Sequence, residues 1–225
     1  MSDTPRSSVI RIFFEGRFVF FLAALLLYLG LVPFLRNFFA VRLLIDVLFS
    51  IVFISAVLAV SQTRRQAILV SLLAVPMLII IWLPHGFHAK GFLLARHAYA
   101  ILFLVVALIM ILRFVIGEKR VTRNVIYAAI VVYLLIGLTG SVVFSLLEQI
   151  SPGSFSLAGE NDPDSAYVFI YYSFVTLTTL GYGDVLPLTD KARALAILEA
   201  IIGQLYLVVL IARLVGSYIS QSEDG

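Results

Sequence analysis

Residues 176–184, Thr176-Leu177-Thr178-Thr179-Leu180-Gly181-Tyr182-Gly183-Asp184, decide the fold, because this polar stretch lies between two long apolar segments. Gly181 and Gly183 can adopt backbone dihedrals that residues with a Cβ avoid. A short segment of this kind can turn its carbonyl oxygens to one side. Four such segments around one axis would form rings of oxygens, which are the ligands that replace the hydration water of a cation.

The composition of the chain is that of a membrane protein. Of its 225 residues, 62% are hydrophobic and 13% are charged, and a soluble domain has about half and a quarter respectively. The mean hydropathy is +1.08. With no cysteine, disulfides and thiolate metal sites are excluded. The net charge of +3 is small and scattered, so nucleic acid is not an expected partner.

Six apolar runs, at about 18–35, 43–61, 67–84, 97–116, 124–147 and 194–217, are each close to the length that crosses a bilayer. Lipid offers the backbone no hydrogen-bond partners, so each run is predicted to be a helix. We therefore expect an all-α membrane protein of six transmembrane helices, with a re-entrant pore helix and a filter between the fifth and sixth.

Basic residues predict the orientation. With the N-terminus in the cytoplasm, ten of the sixteen lysines and arginines lie on the inner side and six on the outer side, which favours two cytoplasmic termini. The predicted divisions are a cytoplasmic segment at 1–17, a four-helix region at 18–123, a pore domain at 124–219 and a short cytoplasmic tail at 220–225. The protein is expected in the cell membrane as a multi-pass protein.

The pore domain is predicted to consist of a helix, a re-entrant loop and a second helix. Residues 148–165 are rich in Ser, Gly, Pro and acids, which is typical of an exposed linker. The run 167–178 is too short to span and fits a pore helix whose C-terminal end faces the ion path. Backbone oxygens of Thr179, Leu180, Gly181 and Tyr182, with the Thr179 hydroxyl, would then bind the ion, and Asp184 would lie just outside them.

This region resembles the potassium-channel superfamily in its threonine run followed by Gly-Tyr-Gly-Asp, and the resemblance covers about 124–219. It implies that Thr179, Leu180, Gly181, Tyr182 and Gly183 form a K+ selectivity filter supported by Thr176, Thr178 and Asp184. Tyr171 and Tyr172 stand where many members have two tryptophans, Val175 where some have a glutamate, and Leu180 where valine or isoleucine is commoner. These departures alter the scaffold around the filter.

The last apolar run holds five further candidate residues, in three predicted roles. Gly203 lies at the distance from Asp184 at which the resemblance implies a gating-hinge glycine, although a glycine here also permits close helix packing. Gln204, Leu207 and Ile211 recur at helical spacing and are predicted to line the cavity. Glu199, an acid within an apolar run, needs a partner or a wet surface, and is predicted to support the filter by hydrogen-bonding Thr176 or Thr178 from behind.

Six spans also suggest a voltage-gated channel, but no basic residue lies between Arg96 and Arg113 in the fourth run, so the charges of a voltage sensor are missing. His85 and His88 are a weak metal pair that lacks a third ligand. The sequence therefore predicts a homotetrameric, potassium-selective channel in the lipid bilayer, with no enzymatic activity, no cofactor and an unknown gating stimulus or partner chain. The alternative is a weakly selective monovalent cation channel.

Overall fold

A computed structural model describes residues 5–35, 47, 50–51, 54–57, 64–82, 90–118, 120–157 and 166–223. Within these ranges the chain is mainly helical, in agreement with the predicted all-α membrane class. Its elements are α1 (Pro5–Leu35), α2 (Arg64–Trp82), α3 (Lys90–Gly117), α4 (Arg123–Ile150), β1 (Phe155–Leu157), α5 (Ala166–Leu177), β2 (Val185–Pro187) and α6 (Asp190–Glu223). Residues 47, 50–51 and 54–57 are also helical.

Three of the described helices are long and apolar enough to cross a membrane. They contain the stretches Gly91–Gly117, Arg123–Ile150 and Asp190–Gly216, which match the fourth, fifth and sixth predicted runs. Shorter apolar stretches lie at Arg17–Leu31 in α1, Ile68–Ile79 in α2 and Tyr167–Leu177 in α5. Most of the predicted second run, 43–61, lies outside the described residues.

The residues at which α4 and α6 begin are explained by N-terminal capping. Thr122 precedes α4, and its hydroxyl accepts a hydrogen bond from the Val125 N–H at 3.4 Å. Thr189 precedes α6 in the same way, with its hydroxyl 3.3 Å from the Ala192 nitrogen. Threonine is a favoured N-cap because it satisfies a backbone donor that has no partner within the helix. Between these helices α5 has 12 residues, about 18 Å of rise, well short of the ~30 Å hydrocarbon core.

The predicted exposed linker at 148–165 contains structure that the sequence reading missed. Residues 155–157 form β1, which pairs antiparallel with β2 so that Ser156 lies opposite Leu186. The Leu188 N–H continues the pairing by donating to the Ser154 carbonyl at 2.8 Å. A strand of three residues is too short to show alternation, and its pairing here depends on burial of Phe155, which is 3% exposed.

The chain packs into two compact units. The first comprises Met1–Ile81 and Ile109–Val132, and the second comprises Trp82–Leu108 and Tyr133–Gly225. In the first unit, Phe18 stacks on Phe114 with ring centroids 4.9 Å apart, and the Arg17 guanidinium lies over both rings. The second unit holds α5, β1, β2, α6 and residues 176–184. All the predicted site residues therefore belong to one unit.

Candidate ion-conducting site

Backbone hydrogen bonds tie residues 179–181 to the end of α5. The Thr179 N–H donates to the Thr176 carbonyl at 3.0 Å, and the Leu180 and Gly181 N–H groups both donate to the Val175 carbonyl, at 2.9 and 3.4 Å. In a trans peptide the N–H and the preceding C=O point in opposite directions. The carbonyl oxygens of Thr179 and Leu180 are therefore directed away from α5, toward the same side.

The sign of φ alternates along this segment. φ is positive at Thr179 (59°), Gly181 (60°) and Gly183 (78°), whereas Leu180 and Tyr182 are not among the residues with positive φ. Such alternation aligns successive peptide groups instead of reversing them. The sequence predicted the two glycines but not Thr179, because a β-branched residue in the left-handed region is a rare outlier. Leu180 and Tyr182 are 55% and 67% exposed in the single chain, so the segment lies open on one side.

The two threonines at the inner end of the segment bind backbone oxygens. The Thr178 hydroxyl donates to the Phe174 carbonyl at 2.6 Å, and the Thr179 hydroxyl donates to the Thr178 carbonyl at 2.7 Å. A hydroxyl that uses its proton in this way keeps its lone pairs for another partner. Thr179 therefore retains the hydroxyl oxygen that the sequence reading assigned to an ion.

A hydrogen bond joins Tyr171 of α5 to Asp184, the last residue of the segment 176–184. The Tyr171 hydroxyl donates to Asp184 Oδ2 at 2.6 Å, and Asp184 Oδ1 accepts the Val185 N–H at 3.1 Å. The Tyr171 hydrogen bond is the main cause that holds the pKa of the Asp184 carboxyl below its usual value, and the backbone N–H groups of Asp184 and Val185 contribute less. The Tyr182 ring lies parallel to the Tyr171 ring, with centroids 6.5 Å apart. Tyr171 thus braces both ends of the Tyr182–Asp184 turn.

Tyr172 packs into a buried aromatic cluster. Its ring packs edge-on against Phe144 of α4 and Phe155 of β1, with centroids 5.0 and 5.3 Å apart, and Phe155 in turn packs against Phe169. Thr176 is hydrogen-bonded to Tyr172. The two adjacent tyrosines therefore connect α5 to different partners, Tyr171 to the Tyr182–Asp184 turn and Tyr172 to the aromatic cluster.

Glu199 is buried, but its partner differs from the predicted one. Its Oε1 lies 2.5 Å from the hydroxyl oxygen of Ser173, not against Thr176 or Thr178. The reason is helix register: Gly203 packs against Leu177, and one turn earlier on both helices Glu199 therefore meets Ser173. The predicted threonine partners are not the ones found: Thr176 is hydrogen-bonded to Tyr172, and Thr178, which follows the end of α5, donates to the Phe174 carbonyl.

Three glycines allow this close packing. A Cβ at Gly203 would lie 2.7 Å from the Leu177 carbonyl oxygen, and one at Gly137 would lie 2.8 Å from the Phe174 ring. A Cβ at Gly140 would overlap the Glu199 carboxyl. Gly203 thus has a packing contact that needs glycine, and its predicted hinge role stays a prediction. Tyr133 of α4 and Tyr206 of α6 stack nearby, with centroids 6.2 Å apart.

The other predicted residues lie on α6. Gln204 and Ile211 are exposed in the single chain and Leu207 is partly buried, and their role as cavity lining stays a prediction. His85 and His88 lie outside the described residues. Within the described ranges no group of three or more His, Cys, Asp or Glu side chains could hold a metal ion. Sequence reasoning also missed His97, whose ring nitrogens contact the Leu93 carbonyl and the Ser145 hydroxyl.

Comparison with protein families identifies the class of this protein. Residues 120–220, just under half of the chain, match the family model Ion_trans_2, described as "Ion channel". This part of the chain is therefore similar to the ion channel superfamily, and together with the long apolar helices it marks the protein as a membrane protein. Comparisons with curated proteins and with solved structures give no significant match.

Proposed function

We propose that the protein is a potassium-selective channel that conducts K+ passively through a homotetrameric pore. The observation that carries the proposal is the backbone of residues 179–183, in which φ alternates in sign and two successive N–H groups bind the Val175 carbonyl. This arrangement directs the Thr179 and Leu180 carbonyls to one side, as a ring of ion-binding oxygens requires. Gly181, Tyr182 and Gly183 continue the pattern outward as the rest of the filter.

One filter segment per chain supports the tetramer. A closed ring around a dehydrated K+ needs four loops, and cyclic symmetry supplies them from four copies. The carboxylate of Asp184 at the mouth favours cations over anions. We assign the pore to α4, α5 and α6, and we retain six spans with cytoplasmic termini for the whole chain. The four N-terminal spans lack a voltage-sensor pattern, so the gating stimulus is sought in a partner chain, lipid, pH or membrane tension.

The test is the reversal potential of the purified protein in a planar bilayer, with K+ on one side and Na+ on the other. We expect a large shift toward the K+ equilibrium potential, because the filter oxygens replace the hydration water of K+. A reversal potential near zero would instead support the weakly selective cation channel, in which Leu180 and the tyrosine pair loosen the filter. The absence of any current from correctly assembled tetramers would contradict both proposals.

A further inference from the structure

Three helices meet at the hydroxyl group of Ser173. Its oxygen lies 2.5 Å from the Gly137 carbonyl oxygen of α4 and 2.5 Å from Oε1 of Glu199 of α6. Both side chains are buried, with Ser173 0% and Glu199 6% exposed. Two short oxygen–oxygen contacts are thus made away from solvent, behind the filter segment.

The number of protons available at this site determines whether the Glu199 carboxyl group is protonated. Each short contact needs a hydrogen between its two oxygens, because facing lone pairs repel. The Gly137 carbonyl has none, and a serine hydroxyl has one. Ser173 therefore donates to Gly137, and the proton of the second contact comes from Glu199, as a neutral carboxylic acid.

The surroundings of the carboxyl agree with a neutral acid. Glu199 Oε2 is buried and has no hydrogen-bond partner among the described residues. A neutral carbonyl oxygen tolerates this far better than an ionised one. The titratable groups facing it from the neighbouring helices are Tyr133 of α4 and Tyr172 of α5, and neither is a cation at neutral pH.

We propose that Glu199 is a positioning residue that acts as a hydrogen-bond donor and, through Ser173, ties α6 and α4 to the pore helix. The tie lies one turn from the contact of Gly203 with Leu177, which is the last residue of α5. It thereby fixes the end of α5 whose Val175 carbonyl holds the Leu180 and Gly181 N–H groups. Its effect on ion flux rests on the proposed channel function, but the neutral acid does not.

The protonation state is tested first, by infrared spectroscopy of the reconstituted protein at neutral pH. The wild type is expected to show the carbonyl-stretch band of a protonated carboxylic acid, and Glu199→Gln is expected to remove it. Glu148→Gln is the matched control. Both Glu148 oxygens accept backbone N–H groups, from Gly153 and Phe155, and neither faces a second acceptor as Glu199 Oε1 does, so its replacement should leave the band intact. A wild-type spectrum without the band would overturn the proposal.

The positioning role is tested by K+ flux from liposomes at matched tetramer content. Glu199→Gln keeps a neutral donor and is expected to retain flux within about twofold, whereas Glu199→Leu is expected to lose about tenfold, the effect of losing one buried hydrogen bond. Ser173→Ala should lose flux similarly, and its effect should be no larger in the Glu199→Leu background. Equal losses in the Gln and Leu variants would refute the donor role.

Two further outcomes separate this proposal from the channel proposal. If Glu199→Leu does not assemble, Ser173→Ala and Glu199→Gln carry the comparison, and full flux in Ser173→Ala contradicts the role. If the wild-type tetramer conducts no ions, the channel proposal fails, and the infrared band alone decides whether Glu199 is a neutral donor.

Discussion

At the residue scale, the proposed filter segment, residues 179–183, depends on positions where the backbone takes positive φ. Thr179 takes φ 59°, at a cost of about 1–2 kcal/mol for a residue with a Cβ. Its hydrogen bonds to Thr176 and Thr178 hold it there. Strain of this kind persists only where the surroundings over-determine it, and it concentrates at functional sites. This supports assigning Thr179 to the ion path and not to the end of a helix.

Gly181→Ala tests the backbone of the filter. No atom lies within 4 Å of an added Cβ, so the cost is conformational, about 1–2 kcal/mol at φ 60°. Gly153→Ala is matched to it, since Gly153 has φ 83° and equally open space but lies outside the filter. We expect both variants to lower thermal stability by similar amounts, and only Gly181→Ala to lower K+ flux. Equal flux in the two variants would exclude Gly181 from the ion path.

Tyr171→Phe tests the tie across the filter mouth. Without the tyrosine hydroxyl, the pKa of Asp184 should rise toward its usual value, because that hydrogen bond is the main cause of its lowering. A lowered pKa stabilises the folded protein above the unfolded pKa, and this contribution is lost as pH falls through the folded pKa. Acid loosening of the mouth should therefore begin at higher pH in the variant.

The measurement is a carboxyl NMR titration of Asp184 at fixed K+ concentration. Tyr167→Phe is the control, because among the described residues Tyr167 makes no hydrogen bond to Asp184. An unchanged Asp184 pKa in Tyr171→Phe would contradict the assigned hydrogen bond.

At the element scale, the contact between α5 and α6 sets where the filter begins. Gly203 faces Leu177 and Glu199 faces Ser173, one turn apart on both helices. The ends of α5 were predictable to within a residue, because a short apolar run between a polar linker and the glycines allows little else. The partner of Glu199 was not predictable, since a serine within an apolar helix shows no pattern until the helix register is known. β1 was missed because three residues are too few for periodicity.

Gly203→Ala should disturb this contact. The new methyl group would meet the Leu177 carbonyl oxygen at 2.7 Å, and a backbone atom cannot move aside cheaply. We expect a loss of about 1–3 kcal/mol in stability, as in other overpacked sites. Gly216→Ala, on the same helix with nothing within 4 Å, should be neutral or slightly stabilising. Thermal unfolding of the detergent-solubilised tetramer measures both, and equal melting temperatures for the two variants would contradict the close contact.

At the scale of the whole molecule, α6 is the least covered by its own chain among the three long apolar helices that the structure describes. Of its most apolar stretch 17% is buried, against 39% for α4. Ile201, Leu205, Val208 and Val209 are each about half to two-thirds exposed. In a membrane such a surface faces lipid or other subunits, and in the proposed tetramer the open side of residues 179–183 would face the other subunits. The class of protein was predictable from the composition and from residues 176–184, because neither depends on knowing which distant residues are in contact.

Native mass spectrometry in detergent tests the assembly. We expect four copies of the 24.9 kDa chain, because four loops are needed to close the oxygen ring. A dimer or a trimer as the largest stable species would contradict the proposed pore. Mild cross-linking in membranes is the control against dissociation by detergent, and it should give a ladder that ends at four.

The pairing of β1 with β2 bears on the order of folding. The two strands lie on either side of α5 and the filter, so their pairing closes the intervening chain into a loop. The entropy lost on closing a loop grows only slowly with its length, so a two-strand clasp stabilised by the burial of Phe155 can form within one chain. Each newly made chain would then enter assembly with α5 already held in place by the pairing of β1 with β2. In the proposed tetramer, subunit association would then need only to align four pore segments that have already folded.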